Sequence, residues 1–550
     1  MKADDDTDFE SNRNLDQSPR ISLQTKLTRI RPPRVQIDYE VETGGALERR
    51  ELPFVIGVLA DLSGARRAPY PPIRERTFVA IDIDNFDQVM ERIAPRVEIT
   101  TDDGVKVALE FRKLEDFDLE SVAAAVPGLA DLPSDIAAAR LNAVLHAPAF
   151  RRLEATWRGL RYLVTQVETG TSLKVRVLDV TKPELLRDLL KAPAVDQSGL
   201  FRKISEEPFG TVAAEPFGLV LVDFEFGSNT QDIQVLQGLA AIGSAAHTPF
   251  VGAAMPQLFG LETFGTLDAS RDLGKIFLTN EYSAWNSFRD LDDARFVALT
   301  VPRMLLRRPW RASDGQSDVA ETIGSRGDLL WGNTAYALGV CVANAFARYG
   351  WCANIRGLEG GGIVEGLPSI ADDESIELAT KSVTDVMLSD RREMELSYLG
   401  VIPLLSVKGR DFGVFFSMST CARPRQLAMP HASANSRLGT QLQYVLTASR
   451  FAHYLRCLTR DKIGSFMTRA ETEHYLNEWI ASYVLQDDRG QLIDKAKRPL
   501  REGRVEVVDL PGQPGAYRAV VYLRPHYQLE ELSVSLRLVV TLGPPLGSLA

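Results

Sequence analysis

Apolar and polar residues alternate in steps of two at both ends of the chain. Near the start, Val35, Ile37, Tyr39 and Val41 are separated by Gln36, Asp38 and Glu40, just after the breaker Pro32-Pro33. Near the finish, RVEVVDL (504–510), PGQPG (511–515) and AYRAVVYL (516–523) spell a hairpin, and LSVSLRLVV (532–540) supplies a third strand. Such alternation bounded by Gly and Pro marks half-buried strands. A lone N-terminal strand and a three-stranded C-terminal sheet are both predicted to present open edges, which pair readily with another chain. Assembly is therefore expected before catalysis.

Between the ends, strand and helix patterns take turns. FVIGVLADLSG (54–64) reads as an apolar strand. In DNFDQVMERIAP (84–95), Asp84 is the expected cap of a short helix whose Phe86, Val89, Met90 and Ile93 share one face. VEIT (97–100) and VKVALEF (105–111) flank the hairpin turn Asp102-Asp103-Gly104. A helix is predicted over 141–164, with Leu153, Trp157, Leu160 and Val164 on one side. Strand-like KVRVLDV (174–180) and FGLVLVDFEF (217–226) then alternate with helical stretches at 185–190 and 232–245. Thr334–Ala347 is a core helix, too short to span a bilayer. Thr468 and Glu471 form a capping box ahead of a helix in which Tyr475, Trp479 and Tyr483 recur every four residues. The expected fold is mixed α/β (α+β): a flexible arm (1–33), a small α/β unit (34–125), a connector (126–140), a larger α/β body (141–495) and the terminal sheet (496–550).

Composition narrows the function. A net charge of −10 and a pI near 5.4 over 550 residues argue against broad nucleic-acid binding and against adhesion to anionic membrane. The chain opens on DDDTDFE (4–10), the opposite of a signal peptide, so a cytoplasmic location without membrane insertion is expected. Cys341, Cys352, Cys421 and Cys457 make no CxxC and read as buried thiols in a reducing compartment. EGGGIVEG (359–366) lacks the Lys-Ser/Thr of a phosphate-binding loop and reads as a tight turn. His453 is expected in the core and His526 in a structural turn. No catalytic residue, cofactor or metal ligand is proposed by these motifs.

Longer stretches resemble the contractile sheath of the bacterial type VI secretion system. RVQIDYEVETGG (34–45), RRELPFVIGVLADLSG (49–64) and FVAIDIDNFDQVMERIAPRV (78–97) are similar to its small subunit, of the TssB/VipA type. WRGLRYLV (157–164), EPFGLVLVDFEF (215–226), WCANIRGLEGGGIVEGLP (351–368), DRREMELSYLGVIPL (390–404), SRFAHYLRCLTRDKIGSFM (449–467) and LRPHYQLEELSVSLRLV (523–539) are similar to its large subunit, of the TssC/VipB type. The order is consistent with a natural small–large fusion. One departure stands out. In the family an N-terminal extension of the large subunit is implicated in recycling by an AAA+ unfoldase, and no matching segment stands between Pro127 and Leu141, which puts that partner in doubt.

The resemblance implies a structural protomer, not an enzyme, that polymerises with itself into a helical tube. The tube would surround an inner-tube protein, meet baseplate and sheath-terminus proteins at its ends, and contract to propel the inner tube. It implies that Val35, Ile37, Tyr39 and Val41 belong to a strand donated to a neighbour's sheet containing Val505, Val507, Val520, Tyr522, Val534, Leu536 and Leu538. The alternative is that both segments pair within their own subunit. A second expected contact is the helix starting near Ser389, where Asp390, Arg391, Arg392, Glu393 and Glu395 would touch the inner tube reversibly; the alternative is a solvated helix end with local ion pairs. A non-contractile capping or regulatory protein is the competing function, and an α/β enzyme the third.

Overall fold

The computed structural model describes residues 39–525 and 536–542, apart from 44–45, 68, 102, 130, 211–213, 270–271, 312–319, 370–381, 462–467, 487–497 and 510–516. The arm 1–33 and the strand positions Val35, Ile37 and Val534 lie outside the described residues. In chain order the strands are β1 (Tyr39–Thr43), β2 (Ala46–Arg50), β3 (Phe54–Ala60), β4 (Val79–Ala80), β5 (Arg96–Thr100), β6 (Lys106–Glu110), β7 (Leu173–Asp179), β8 (Phe217–Phe226), β9 (Phe250–Ala254), β10 (Val297–Val301), β11 (Met304–Arg307), β12 (Leu330–Gly332), β13 (Ile363–Val364), β14 (Ile402–Ser406), β15 (Gly413–Phe415), β16 (Leu500–Asp509), β17 (Tyr517–Pro525) and β18 (Leu536–Leu542).

The apolar runs build a nine-stranded sheet in the order β13-β15-β14-β10-β9-β8-β3-β7-β4. Its six inner strands, β14 to β7 in that order, pair in parallel. Parallel strands are covered on both faces and therefore lose their alternation; β3, β9 and β10 are buried at every position. One face is covered by the helices Pro148–Gln166 and Ala335–Tyr349. These two meet where Gly159 lies against Tyr336, so closely that a Cβ would stand 2.6 Å from the ring. The other face is covered by Thr230–Ala246 and its neighbours. The fold is mixed α/β.

Three expectations change here. The stretch 34–125 does not pack as a separate small body, because β3 lies between β7 and β8 at the centre of the large sheet. Phe86 sits edge-on to Trp157 at 5.6 Å, and the Trp157 indole N–H donates to the Leu62 carbonyl at 3.0 Å. Both contacts join the two halves of the sequence in one core. The connector 126–140 is half helical, since Ser134–Leu145 is a helix, and Pro148 then starts a second one. A proline is tolerated in a first turn, whose N–H groups lack intrahelical partners. Asp84 precedes the short helix rather than capping it, and Phe86–Ile93 begins after Asn85.

A buried charge cluster pins this core to the β11–β12 ribbon. The Arg307 guanidinium reaches Glu154 on one side (2.7 Å) and Glu321 on the other (2.6 Å), and both carboxylates are essentially inaccessible to water. The C-terminal sheet, in the order β16-β17-β18, forms a third core with the helices Leu442–Asp461 and Arg469–Ala481.

Candidate assembly surfaces

An open parallel sheet binds ligands where its strand order reverses, beyond the carboxyl ends of the strands. Here the reversal lies between β3 and β8. The crevice beside β3 holds Arg66, which reaches Glu184 (2.7 Å), Asp179 (3.2 Å) and the Ser63 hydroxyl (2.6 Å), while Arg76 takes the same Glu184 at 2.7 Å. Burial alone would raise the Glu184 carboxyl, but hydrogen bonds from Arg76, the Thr181 N–H and Arg66 bring it down to about 2. Beside β8, Asp232 pairs with Lys182 and accepts the Gly227 N–H at 2.7 Å. The place where an α/β enzyme would hold a ligand is thus occupied by this chain's own ion pairs. The Gly-rich stretch is close-packed too: a Cβ on Gly362 would stand 2.5 Å from the Phe415 carbonyl.

A second charged cluster lies at the same, carboxyl end of β8. Arg303 grips Glu225 with two bonds (2.5 and 2.7 Å), and its backbone N–H donates to Asp385 at 3.2 Å. Burial raises the Asp385 carboxyl from 3.8 to about 7; the charge and N–H of Arg303 oppose the rise and Glu225 adds to it. The folded chain therefore keeps a proton that the unfolded chain has released. Stability from this group is complete below the unfolded value and is lost as pH rises through about 7. Denaturant unfolding at pH 5 and pH 8 should show Asp385→Asn removing part of the loss seen in the parent, at most about 3 kcal/mol. An identical pH slope in the variant would contradict this.

The N-terminal strand is not alone. Residues Tyr39 and Val41 lie in β1, which pairs antiparallel with β2 in the register Tyr39↔Arg50 and Val41↔Glu48. The hairpin leaves the body at a clamp on the helix Leu442–Asp461. The Leu52 N–H donates to the Tyr454 hydroxyl at 2.9 Å, and Arg450 donates to the carbonyls of Leu52 and Pro53. The Arg450 guanidinium also lies over the rings of Phe346 (5.1 Å) and Tyr454 (5.0 Å). Arg450 and Tyr454 were not singled out from the sequence. Their four-residue spacing on one helix face was the available signal, but it does not identify a partner about 400 residues away.

At the other end, Val505 and Val507 are buried in the third core, opposite Val521 and Ala519. Val520 and Tyr522 are instead the register partners of Glu506 and Arg504, so they belong to the opposite face. Leu536 and Leu538 of β18 pair with Leu523 and Val521. The exchange set is thus split between two faces. The expected open edge on β16 is also absent. Asn477 of the helix Arg469–Ala481 accepts the Val505 N–H (2.9 Å) and donates to its carbonyl (2.7 Å). Glu473 accepts the Val507 N–H (3.0 Å), and Arg469 donates to the Val507 carbonyl (3.3 Å). Leu500 is bonded through its carbonyl to Leu485 (2.7 Å) and through its N–H to Tyr483 (3.0 Å).

The helix Asp390–Tyr398 begins as expected, with Ser389 as its cap. Its charges are arranged differently. Arg392 and Glu393 are buried, and Arg392 pairs with Glu395 (2.7 Å) and donates to the Ala269 carbonyl (2.5 Å). Glu395 accepts the Leu273 N–H at 2.8 Å. Burial raises the Glu393 carboxyl. Asp390 and Arg391 remain exposed, beside Met394 and Tyr398, which are 65% and 76% exposed. A shallow groove runs past Arg391, Glu395 and Tyr398 to Asp272 and Gly274. The outward face is therefore largely apolar, with charge at its N-terminal end. Among the described residues, no helix is long and apolar enough to cross a membrane, and no cluster of three or more His, Cys, Asp or Glu could hold a metal.

Three family models match the chain. The tail sheath N-terminal domain of EvpB/VC_A0108 matches residues 132–422, and the gpW/gp25-like domain of the same family matches 431–542. The type VI secretion system family VipA, VC_A0107 or Hcp2, matches 27–145. The type VI secretion system sheath protein TssC1 of Pseudomonas aeruginosa is 39% identical over 498 residues, taking in 88% of this chain and 98% of that protein. The sheath protein TssB1 of the same organism is 33% identical over 179 residues, 31% of this chain and 92% of that protein. A solved structure, the contracted helical sheath of the anti-feeding prophage, aligns with 90% of this chain and 93% of its own at 9% identity, with a TM-score of 0.35, too loose a superposition to bear on the fold. A likeness that takes in 88% of the chain cannot fit between residue 132 and the C-terminus, so the TssC1 match runs back over the stretch matched to VipA. The two likenesses overlap along that stretch.

Proposed function

The chain belongs to the type VI secretion system sheath family, with small- and large-subunit matches in one polypeptide, and on that premise we propose that its copies are tied together by strand exchange while they rotate past one another. It is a protomer of the contractile sheath, a structural polymer. Its copies form a helical tube around an inner-tube protein in the cytoplasm, and baseplate and sheath-terminus proteins meet the ends. Contraction draws on repacking of the lattice and needs no nucleotide.

The observation that carries the reading is the N-terminal hairpin. β1 and β2 form a sheet of two strands, and an isolated hairpin is marginally stable in water. It is tethered to a rigid body by the clamp at Leu52 and Pro53. A tethered, two-stranded unit gains most by joining another sheet, through main-chain bonds that tolerate changes of side-chain geometry. The C-terminal sheet of the next copy is the proposed acceptor. The outward face of Asp390–Tyr398, with Arg391, Met394 and Tyr398, is the proposed contact for the inner tube, an apolar surface that can release when the sheath widens.

Electron microscopy of the concentrated, purified chain tests the polymer. Hollow helical tubes are expected. Discrete small oligomers would instead favour a cap or regulator of a sheath made by other subunits.

A further inference from the structure

Antiparallel partner strands exchange two backbone hydrogen bonds at every second residue. Along the outer side of β16 those bonds are made without a partner strand. The Asn477 carboxamide reproduces both halves of the exchange at Val505, and Glu473 with Arg469 does so at Val507. Leu500 is satisfied in the same way by the chain at Tyr483 and Leu485. Arg469, Glu473 and Asn477 recur every four residues and so lie along one side of their helix.

We propose that the helix Arg469–Ala481 is an edge guard, which closes the β16 side of the C-terminal sheet and directs strand addition from a second copy of this chain to the β18 side. This rests on the strand-exchange reading above. A strand arriving at β16 would break as many bonds at Val505 and Val507 as it made there, and would strand the side chains that had made them. A buried donor or acceptor left without a partner is costly. At β18 the ladder to β17 uses one side of the strand, so a newcomer gains bonds without breaking any of these. The guard has a clear use. A protomer with two open edges could accept two strands and branch the lattice, or pair with unrelated edges. One open edge gives a single head-to-tail order.

The register supplies matched reporters. Val508, Arg518 and Thr541 form one row across the three strands, so Val508 and Thr541 mark its two ends. The four native cysteines are buried. Full-length Glu40→Cys or Glu42→Cys chain is mixed with Val508→Cys or with Thr541→Cys chain, polymerised and mildly oxidised, so that any heterodimeric cross-link joins two copies. The cross-link to Thr541→Cys should exceed that to Val508→Cys by about tenfold or more, and Glu473→Ala/Asn477→Ala should raise the Val508→Cys product several-fold. If the double variant does not fold, Asn477→Asp keeps an acceptor for the Val505 N–H, removes the donor to its carbonyl, and should shift the ratio the same way. Equal or greater cross-linking at Val508→Cys with the guard intact overturns the proposal while leaving strand exchange standing. No cross-link at either end overturns strand exchange, and the guard with it.

Discussion

A chain lacking residues 34–43 is expected to fold and to form no tubes at concentrations where the full chain polymerises completely. The segment removed includes β1, and the body begins at the Leu52–Pro53 clamp, whose bonds to Tyr454 and Arg450 remain. What is lost is a ladder of main-chain bonds between copies. Each contributes about 1 kcal/mol net, so a few of them shift the critical concentration by about a hundredfold or more. A four-residue insertion between Arg50 and Glu51, after β2 and before the clamp, separates binding from transmission. It keeps the strand, adds about 13 Å of slack, and costs little loop entropy. Tubes should therefore form in their extended state but fail to contract in one wave. Sedimentation measures the first effect, and the length distribution of tubes before and after triggering measures the second. Normal contraction with the insertion would remove the tether from the mechanism.

The second large effect concerns the rigidity of the body. Arg307→Ala should destabilise the chain by roughly 3–5 kcal/mol, because two buried carboxylates lose the charge between them. Glu154 retains Arg158 at 2.8 Å, and Glu321 retains the Trp310 N–H at 3.0 Å, but neither replaces a shared guanidinium. Burial would raise the Glu321 carboxyl, and the hydrogen bonds from His146 and Arg307 now hold it at about 2. With Arg307 gone, that carboxyl should titrate upward and the variant should unfold at higher pH than the parent. Replacing Arg307, Glu154 and Glu321 together by apolar residues of similar volume should recover much of the loss. Denaturant melts of the three chains check this; equal stability of Arg307→Ala and parent would mean the cluster is not holding the ribbon.

Much of the fold was readable along the chain. β8 has the ends expected for it, and the Thr468–Glu471 capping box starts a helix with both of its reciprocal bonds formed. The hairpin β5–β6 closes across the turn at Asp103-Gly104. These features are local, so a window of a few residues contains their cause. The sheet order was not readable, because β3 pairs with strands more than a hundred residues away. That long-range pairing also hid the merging of the small and large segments.

The assembly surfaces were half legible for the same reason. Alternation located the strands at both ends but could not say which edge was already taken, since Asn477 and Val505 are 28 residues apart. The three-member polar stripe Arg469, Glu473, Asn477 was visible as a pattern and resembled an ordinary solvated face. At Asp390–Tyr398 charge suggested exposure. Arg392 and Glu393 are nevertheless buried, and the Ala269 carbonyl that takes the Arg392 guanidinium comes from a distant segment. Met394 and Tyr398 are left outside.

Whether neighbouring copies share backbone is the claim on which the rest depends, and a density map of the extended tube at side-chain detail tests it most directly. Strand exchange predicts β1 of one copy laid against the side of β18 away from β17 in another, with Asn477 still bonded to Val505. A map in which every β1 pairs solely within its own molecule, and each terminal sheet ends at β18, would contradict it.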